Sequence, residues 1–342
     1  TFMNFTIYPE LPSELKQGWN TLLDESSPHV PFLRFEYLQE WWETRGGGEW
    51  PQDSRLTILL AEEDGALMGI APFFIPAGEE SPRLMLLGSI EISDYLDVIC
   101  RPADVGRFCA ELLAFVKENQ AVLGNAQSLD LYNLLDSSPS LAAFTAAAQK
   151  SELDCAESVL QHCPYIPLPG SWEAYLEGID KKQRHEIRRK MRRAAESEVA
   201  AEFYITTDPA RLDGDIQDFL TLMEQDPDKA CFLTPRMRVH MESTMRCAFE
   251  NGCLQLAFLV IGGKKAAAYF SFDYLDRIWV YNSGLNREYM PYSPGWVLLG
   301  HMLQWANENG KMEFDFMRGD EDYKYKFGAI DRMVKRLRIE MK

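Results

Sequence analysis

Five stretches decide the fold: Arg277-Ile-Trp-Val-Tyr-Asn282; a loop closing on Tyr292-Ser-Pro-Gly295; Asn309-Gly310; Lys311-Met-Glu-Phe-Asp-Phe-Met317; and Arg318-Gly-Asp-Glu-Asp-Tyr-Lys-Tyr-Lys-Phe-Gly328. They read as strand, loop, helix, strand and loop. Ser293 suits an N-cap, Pro294 the first helical position and Gly310 the C-terminal stop, so both helix borders are marked. The amides of an open helix N-terminus and the positive end of its dipole attract anions, and Gly295 allows close approach to the backbone. The loop therefore suits a phosphate group.

Working outward, the same order of elements occurs twice. Thr57-Ile-Leu-Leu-Ala61 and Ala66-Leu-Met-Gly-Ile-Ala-Pro-Phe-Phe-Ile75 flank Asp64-Gly65 and predict a β-hairpin. Gln255-Leu-Ala-Phe-Leu-Val-Ile261 and Ala266-Ala-Ala-Tyr-Phe-Ser-Phe272, around Gly262-Gly263, predict a second. Each hairpin leads to a strand, a helix and another strand: 95–100, 103–119 and 128–132 in the first copy, and 278–281, 294–309 and 312–317 in the second. Val105, Phe108, Cys109, Leu112, Leu113 and Val116 recur at helical spacing. The expected architecture is α/β (α+β), with two tandem domains, each a mixed, mainly antiparallel sheet flanked by helices. Cys163-Pro-Tyr-Ile-Pro-Leu-Pro-Gly170 marks the border, giving domains at 1–160 and 161–342. The first copy has only Arg101-Pro-Ala-Asp104 where the second has its long loop, so one site is expected, in the second copy, with the first degenerate.

Lengths of this order commonly divide into two domains. Of 342 residues, 52 are acidic and 35 basic, a net charge of −17, which argues against DNA or an anionic membrane surface as general partners. Seven cysteines without a C-x-x-C pair suit a reducing cytoplasm. No apolar run is long enough to insert in a membrane. The five histidines have no metal-ligand spacing, so no metal is expected. The G-x-S-x-G, P-loop and G-x-G-x-x-G patterns do not occur.

By strand alternation Glu313 and Asp315 share a face opposite Phe314 and Phe316, either as candidate bases or as the wet side of an ordinary strand. A second unusual feature is Lys181-Lys-Gln-Arg-His-Glu-Ile-Arg-Arg-Lys-Met-Arg-Arg193, a predicted helix capped by Asp180. Arg184, Arg188 and Arg192 line one face. They read either as a solvated face matched by carboxylates or as an anchor for an anionic acceptor.

The chain resembles the CelD-like acetyltransferases associated with cellulose and exopolysaccharide biosynthesis, which are GNAT-fold proteins related to Fem-type aminoacyl transferases. Nearly the whole chain takes part. The resemblance rests on Phe32-Leu-Arg-Phe-Glu-Tyr-Leu-Gln-Glu-Trp-Trp42, Gly69-Ile-Ala-Pro-Phe73, Leu87-Gly88, Ser93-Asp-Tyr-Leu-Asp97, the basic helix, Ser293-Pro-Gly295, and Asp315-Phe316 with Gly319 and Tyr323-Lys324. A full Gln/Arg-x-x-Gly-x-Gly/Ala phosphate signature, common in the wider fold, is missing.

The resemblance implies transfer of an acyl group from acetyl-CoA or another acyl-CoA to an amine, without a covalent enzyme intermediate. It places the pantetheine arm along the backbone of Val280, Tyr281 and Asn282. It places the pyrophosphate against Ser293, Pro294, Gly295 and Trp296. Tyr323 is then the candidate general acid for the leaving thiolate, although a packed ring is the ordinary alternative, and Asp315 the candidate base. Lys324 and Lys326 would neutralise phosphate or an anionic acceptor. The acceptor would be a small-molecule or glycan-linked amine lying between the two copies. A Fem-type reading substitutes aminoacyl-tRNA for the CoA donor. A third reading keeps the fold without turnover, as a binding subunit.

Overall fold

The computed structural model describes all residues, 1–342. The chain divides into two compact units, 1–161 with 333–342, and 162–332. The first contains β1 (Asn4–Tyr8), α1 (Lys16–Asp24), α2 (Phe35–Gly48), β2 (Arg55–Glu63), β3 (Ala66–Ile75), β4 (Arg83–Leu86), β5 (Ile99–Cys100), α3 (Val105–Glu118), β6 (Ser128–Leu135), α4 (Pro139–Lys150) and β7 (Cys155–His162). The second contains β8 (Tyr165–Pro167), α5 (Trp172–Gly178), α6 (Lys181–Glu196), β9 (Ala201–Ile205), α7 (Pro209–Met223), α8 (Pro227–Phe232), α9 (Pro235–Glu250), β10 (Leu254–Ile261), β11 (Lys264–Tyr274), β12 (Arg277–Leu285), α10 (Pro294–Glu308), β13 (Glu313–Asp315) and α11 (Asp322–Lys326). A last strand, β14 (Met333–Glu340), returns to the first unit.

The sheet of the first unit runs β1-β2-β3-β4-β6-β14-β7, with β5 paired to β3. Its β2–β3 hairpin turns on Asp64 and Gly65, both at positive φ as a tight two-residue turn requires. Helix α3 connects β4 to its parallel neighbour β6 and buries Phe108, Leu112 and Val116. The expected strand 95–100 is shorter than the sequence suggests. Only Ile99 and Cys100 pair, with Ile70 and Gly69, while Asp97 instead accepts hydrogen bonds from Ser138 and Ser140 at the start of α4.

The sheet of the second unit runs β8-β13-β12-β11-β10-β9, antiparallel throughout except for β12 and β13. The β10–β11 hairpin turns on Gly262 and Gly263, again both at positive φ. Helix α10 is the crossover to β13. It buries Leu298, Met302, Leu303 and Ala306 with Ala257, Leu259, Ile278, Val280 and Phe314. On the other side of the sheet Phe219 of α7 meets Phe270 edge-on, with ring centroids 6.1 Å apart. Apolar burial of this extent is the main stabilising term for each unit. Both sheets thus show the expected mixed, mainly antiparallel pattern with flanking helices.

The span 161–342 for the second domain needs correction. Val334, Leu337 and Ile339 are buried in the first unit, where β14 lies between β6 and β7. Alternation in the sequence identifies a strand of this kind, but not the sheet that accepts it. The strand expected at 311–317 is also shorter, pairing only over Glu313–Asp315.

Candidate functional site

Strand β12 pairs with β11 along its whole length but with β13 only at Arg277, Ile278 and Trp279. Beyond Asp315 the chain turns away. Phe316 donates its N–H to the Pro164 carbonyl, and Met317 adopts φ 59. The β12–β11 register slips between Val280, opposite Ser271, and Asn282, opposite Phe270, so Tyr281 is a bulged residue. The edge of β12 from Val280 onward is therefore without a neighbouring strand in the ladder. The sequence-predicted Val280, Tyr281 and Asn282 lie at this parting. Val280 packs in the core, Tyr281 meets Phe270 edge-on, and Asn282 accepts the Ser283 N–H through Oδ1 at 2.9 Å.

The loop after β12 forms a 3-10 turn over Arg287–Tyr292 and ends at α10. Ser293 does not act as the expected side-chain cap. It adopts φ 51 and ψ 51, and its hydroxyl caps nothing. This leaves the first-turn amides of Gly295 and Trp296 without a capping side chain; Pro294 has none to offer. Gly295 is not in open space, because a Cβ there would lie 3.3 Å from Leu285 Cδ2.

The basic helix α6 packs along α10. Met191 Sδ would lie 2.7 Å from a Cβ at Gly300, and the Lys190 ammonium sits 3.8 Å from the Trp296 ring centroid. Trp296 in turn packs on Phe327, with centroids 4.7 Å apart. Burial holds the Lys190 pKa below the ordinary lysine value, and Lys326 contributes in the same direction. Of the predicted acceptor arginines, Arg188 pairs with Glu173 at 2.9 Å. Arg184 is half-buried and Arg192 exposed, neither with an ion-pair partner.

Two expectations change. Asp315 is fully buried; its Oδ2 receives Arg332 at 2.6 Å and its Oδ1 the Met317 N–H at 2.8 Å. Glu313 shares Arg332 and also faces Arg277, each at 3.3 Å. The carboxylate face of β13 is thus an ion-paired strut, which a strand pattern cannot distinguish from an open face. Lys324 is also buried, not solvated. It donates to the Gly319 carbonyl at 3.0 Å and pairs with Glu321 at 2.7 Å, tying down the loop before α11. Lys326 is exposed and pairs with Asp322 at 3.0 Å.

Tyr323 projects from α11 with its phenol close enough to that of Tyr269 for the two to influence each other electrostatically. Burial, then the Tyr269 and Glu321 charges, push its pKa far above the ordinary phenol value. Burial raises Tyr269 to about 12. Both phenols are consequently protonated at neutral pH. Tyr269 stands opposite Ser283 in the β11–β12 register, beyond the Tyr281 bulge.

The sequence reading missed Tyr269, Ser283 and Lys229. Tyr269 carries a weak signal, as a lone polar-tipped ring after Ala266-Ala-Ala268. Lys229 carries none. It comes from the short helix α8 and donates to the Ser283 carbonyl at 2.6 Å. Gly284 permits this arrangement, since a Cβ there would fall 2.5 Å from the Met223 nitrogen at the end of α7. A cavity of about 360 Å³ opens beside Lys229, Ser283 and Gly284. No group of three His, Cys, Asp or Glu side chains is placed to hold a metal, and no helix is long and apolar enough to cross a membrane.

No curated protein matches the chain. Among solved structures, FemX resembles it with a TM-score of 0.69 at 11% identity, covering 98% of this chain and 97% of FemX. L-PGS from Bacillus licheniformis gives a TM-score of 0.58 at 13% identity, covering 98% and 93%. A tandem GNAT protein from the clavulanic acid biosynthesis pathway gives 0.51 at 12%, covering 99% of each chain. At these identities the likeness establishes the fold. Residues 181–325 match the family model described as an acetyltransferase (GNAT) domain. The matched residues lie in the second unit, and the chain as a whole has the fold of tandem GNAT proteins.

Proposed function

We propose that the protein is an N-acyltransferase that takes an acyl group from acetyl-CoA or another acyl-CoA and passes it to an amine. The observation that carries this reading is the parting of β12 from β13 at Trp279 and Asp315, with the bulge at Tyr281. An unpaired strand edge can take the amide groups of an extended arm, as a further strand would. The residues present suit a phosphorylated donor, because the α10 amides at Gly295 and Trp296 lie beside Lys190, with Lys326 near.

In this reading the thioester lies along Val280–Asn282. The neutral amine attacks its carbonyl carbon, the C–S bond breaks and the thiolate leaves, while the proton lost by the amine nitrogen passes to solvent water, which afterwards reprotonates Tyr323. Tyr323 gives the thiolate its proton, and burial keeps the phenol protonated until then. Asp315 has a structural role, since both its oxygens are engaged. The CelD-like motifs support placing the reaction in cytoplasmic polysaccharide or cell-envelope biosynthesis.

Calorimetric titration with CoA and acetyl-CoA tests the donor. Saturable binding that weakens in Lys190→Met is the expected result, and absence of binding by either compound would refute it. Arg184 and Arg192, unpaired in a chain of charge −17, favour a second reading in which this face holds an anionic acceptor or aminoacyl-tRNA. Filter binding of aminoacylated tRNA, compared between the natural protein and the Arg184→Gln/Arg192→Gln variant, separates the readings.

A further inference from the structure

The cavity beside Ser283 is lined by apolar Leu222, Met223, Leu285 and Met290 and by three charged residues, Lys229, Arg287 and Asp226. Its approximately 360 Å³ is at the small end of ligand pockets and suits a small molecule or the terminal group of a larger one. The Lys229 ammonium has only neutral partners, the Ser283 carbonyl at 2.6 Å and its hydroxyl at 3.3 Å. No carboxylate lies within ion-pair distance of it, although the chain carries 52 acidic residues. Arg287 is exposed and likewise has no ion-pair partner. Two cations without ion pairs, against the single carboxylate of Asp226, leave this cavity cationic in a protein of net charge −17. Lys229 is half-buried and its charge is met only by neutral oxygens, so an anion in the cavity would offset the cost of its partial desolvation.

The cavity walls come from the α7–α8 corner, on the side where Gly284 meets Leu222 and Met223. Val280 turns the other way, into the core under α10. We propose that this cavity receives the acceptor, and that the acceptor carries a carboxylate on an apolar body, with Lys229 holding the carboxylate and Arg287 drawing it in. This rests on the acyl-CoA reading above and adds the acceptor class to it. Burial lowers the Lys229 pKa, with Asp226 and Glu321 acting against that shift, and a bound carboxylate would restore the charged amine.

The test is isothermal titration of the full chain at saturating CoA. Two acids are compared with their amine counterparts: L-leucine with isopentylamine, and 6-aminohexanoate with hexylamine. At least one acid is expected to bind ten-fold or more tightly than its amine. Lys229→Gln should bring that ratio close to one while leaving the Kd for CoA unchanged, as loss of a charge-assisted contact would. Equal binding of acid and amine by the natural protein, or no binding of either acid, overturns the inference and leaves the donor reading standing. Loss of CoA binding in Lys229→Gln assigns the cavity to the donor and also overturns it. Failure of the natural protein to bind CoA refutes the donor reading itself, and this inference with it. If circular dichroism shows that Lys229→Gln is unfolded, the exposed Arg287→Gln variant is read instead, and an unaltered acid-to-amine ratio there counts against the proposal.

Discussion

Replacing Arg332 with Met separates a structural Asp315 from a catalytic one. Asp315 is fully buried, while the Arg332 side chain is 12% exposed, and their contact is 2.6 Å. Breaking a buried ion pair from one side leaves a charge without compensation and costs roughly 3–5 kcal/mol. Asp315 keeps the Met317 N–H, so the lower end, about 3 kcal/mol, is expected. Arg332 also lies 3.9 Å from the Tyr165 ring, a packing contact the Met side chain partly replaces. At roughly 2–4 °C per kcal/mol for domains of this size, Tm should fall by about 6–12 °C. Asp315→Asn in the Arg332→Met background removes the charge that has lost the guanidinium and should recover most of the loss. The assay is thermal unfolding of the natural protein, the Arg332→Met variant and the double variant, with CoA release from acetyl-CoA measured on each. If the double variant unfolds like the natural protein but has no turnover, Asp315 is catalytic and the structural assignment is refuted.

Coenzyme A at about 100 times its Kd should stabilise the protein by about 2.7 kcal/mol, measured by thermal shift, and Gly295→Trp should abolish the shift by filling the space against Leu285. Tyr323→Phe should lower kcat by roughly 10²-fold or more with the Kd for CoA unchanged, since the proton and not the ring is lost; Tyr269→Phe should act in the same direction but less. In the second reading Arg184→Gln/Arg192→Gln should weaken anionic-acceptor or tRNA binding and spare CoA, while Lys190→Met should weaken CoA binding, because Lys190 alone of these covers the Trp296 ring. Asp97, fully buried, has its pKa pushed up to about 7 by burial, against the hydrogen bonds it accepts from Ser138, Ser140 and Val98. A raised carboxyl pKa contributes stability that is present below the ordinary 3.8 and lost as pH rises through about 7, so urea midpoints should decline over that window and flatten in Asp97→Asn.

The sequence by itself determined the features written in local chemistry. Asp64-Gly65 and Gly262-Gly263 define two hairpins because few residue pairs tolerate positive φ at both positions. Pro294 and Gly310 bracket α10, and Asp180 caps α6 through the Lys182 and Gln183 amides, as its side chain and position require. The repeat of hairpin, strand, helix and strand followed from these markers together with the spacing of apolar residues. Tertiary structure alone decided how far β13 runs beside β12, since parting depends on Met317 turning away and on Phe316 bonding to Pro164. It decided that β14 joins the first sheet, that Asp315 and Lys324 are buried and matched, and that Lys229 meets Ser283 across 54 positions. Periodicity specifies which face of an element is apolar, but long-range partners are chosen by packing and electrostatics between segments that the one-dimensional pattern does not relate.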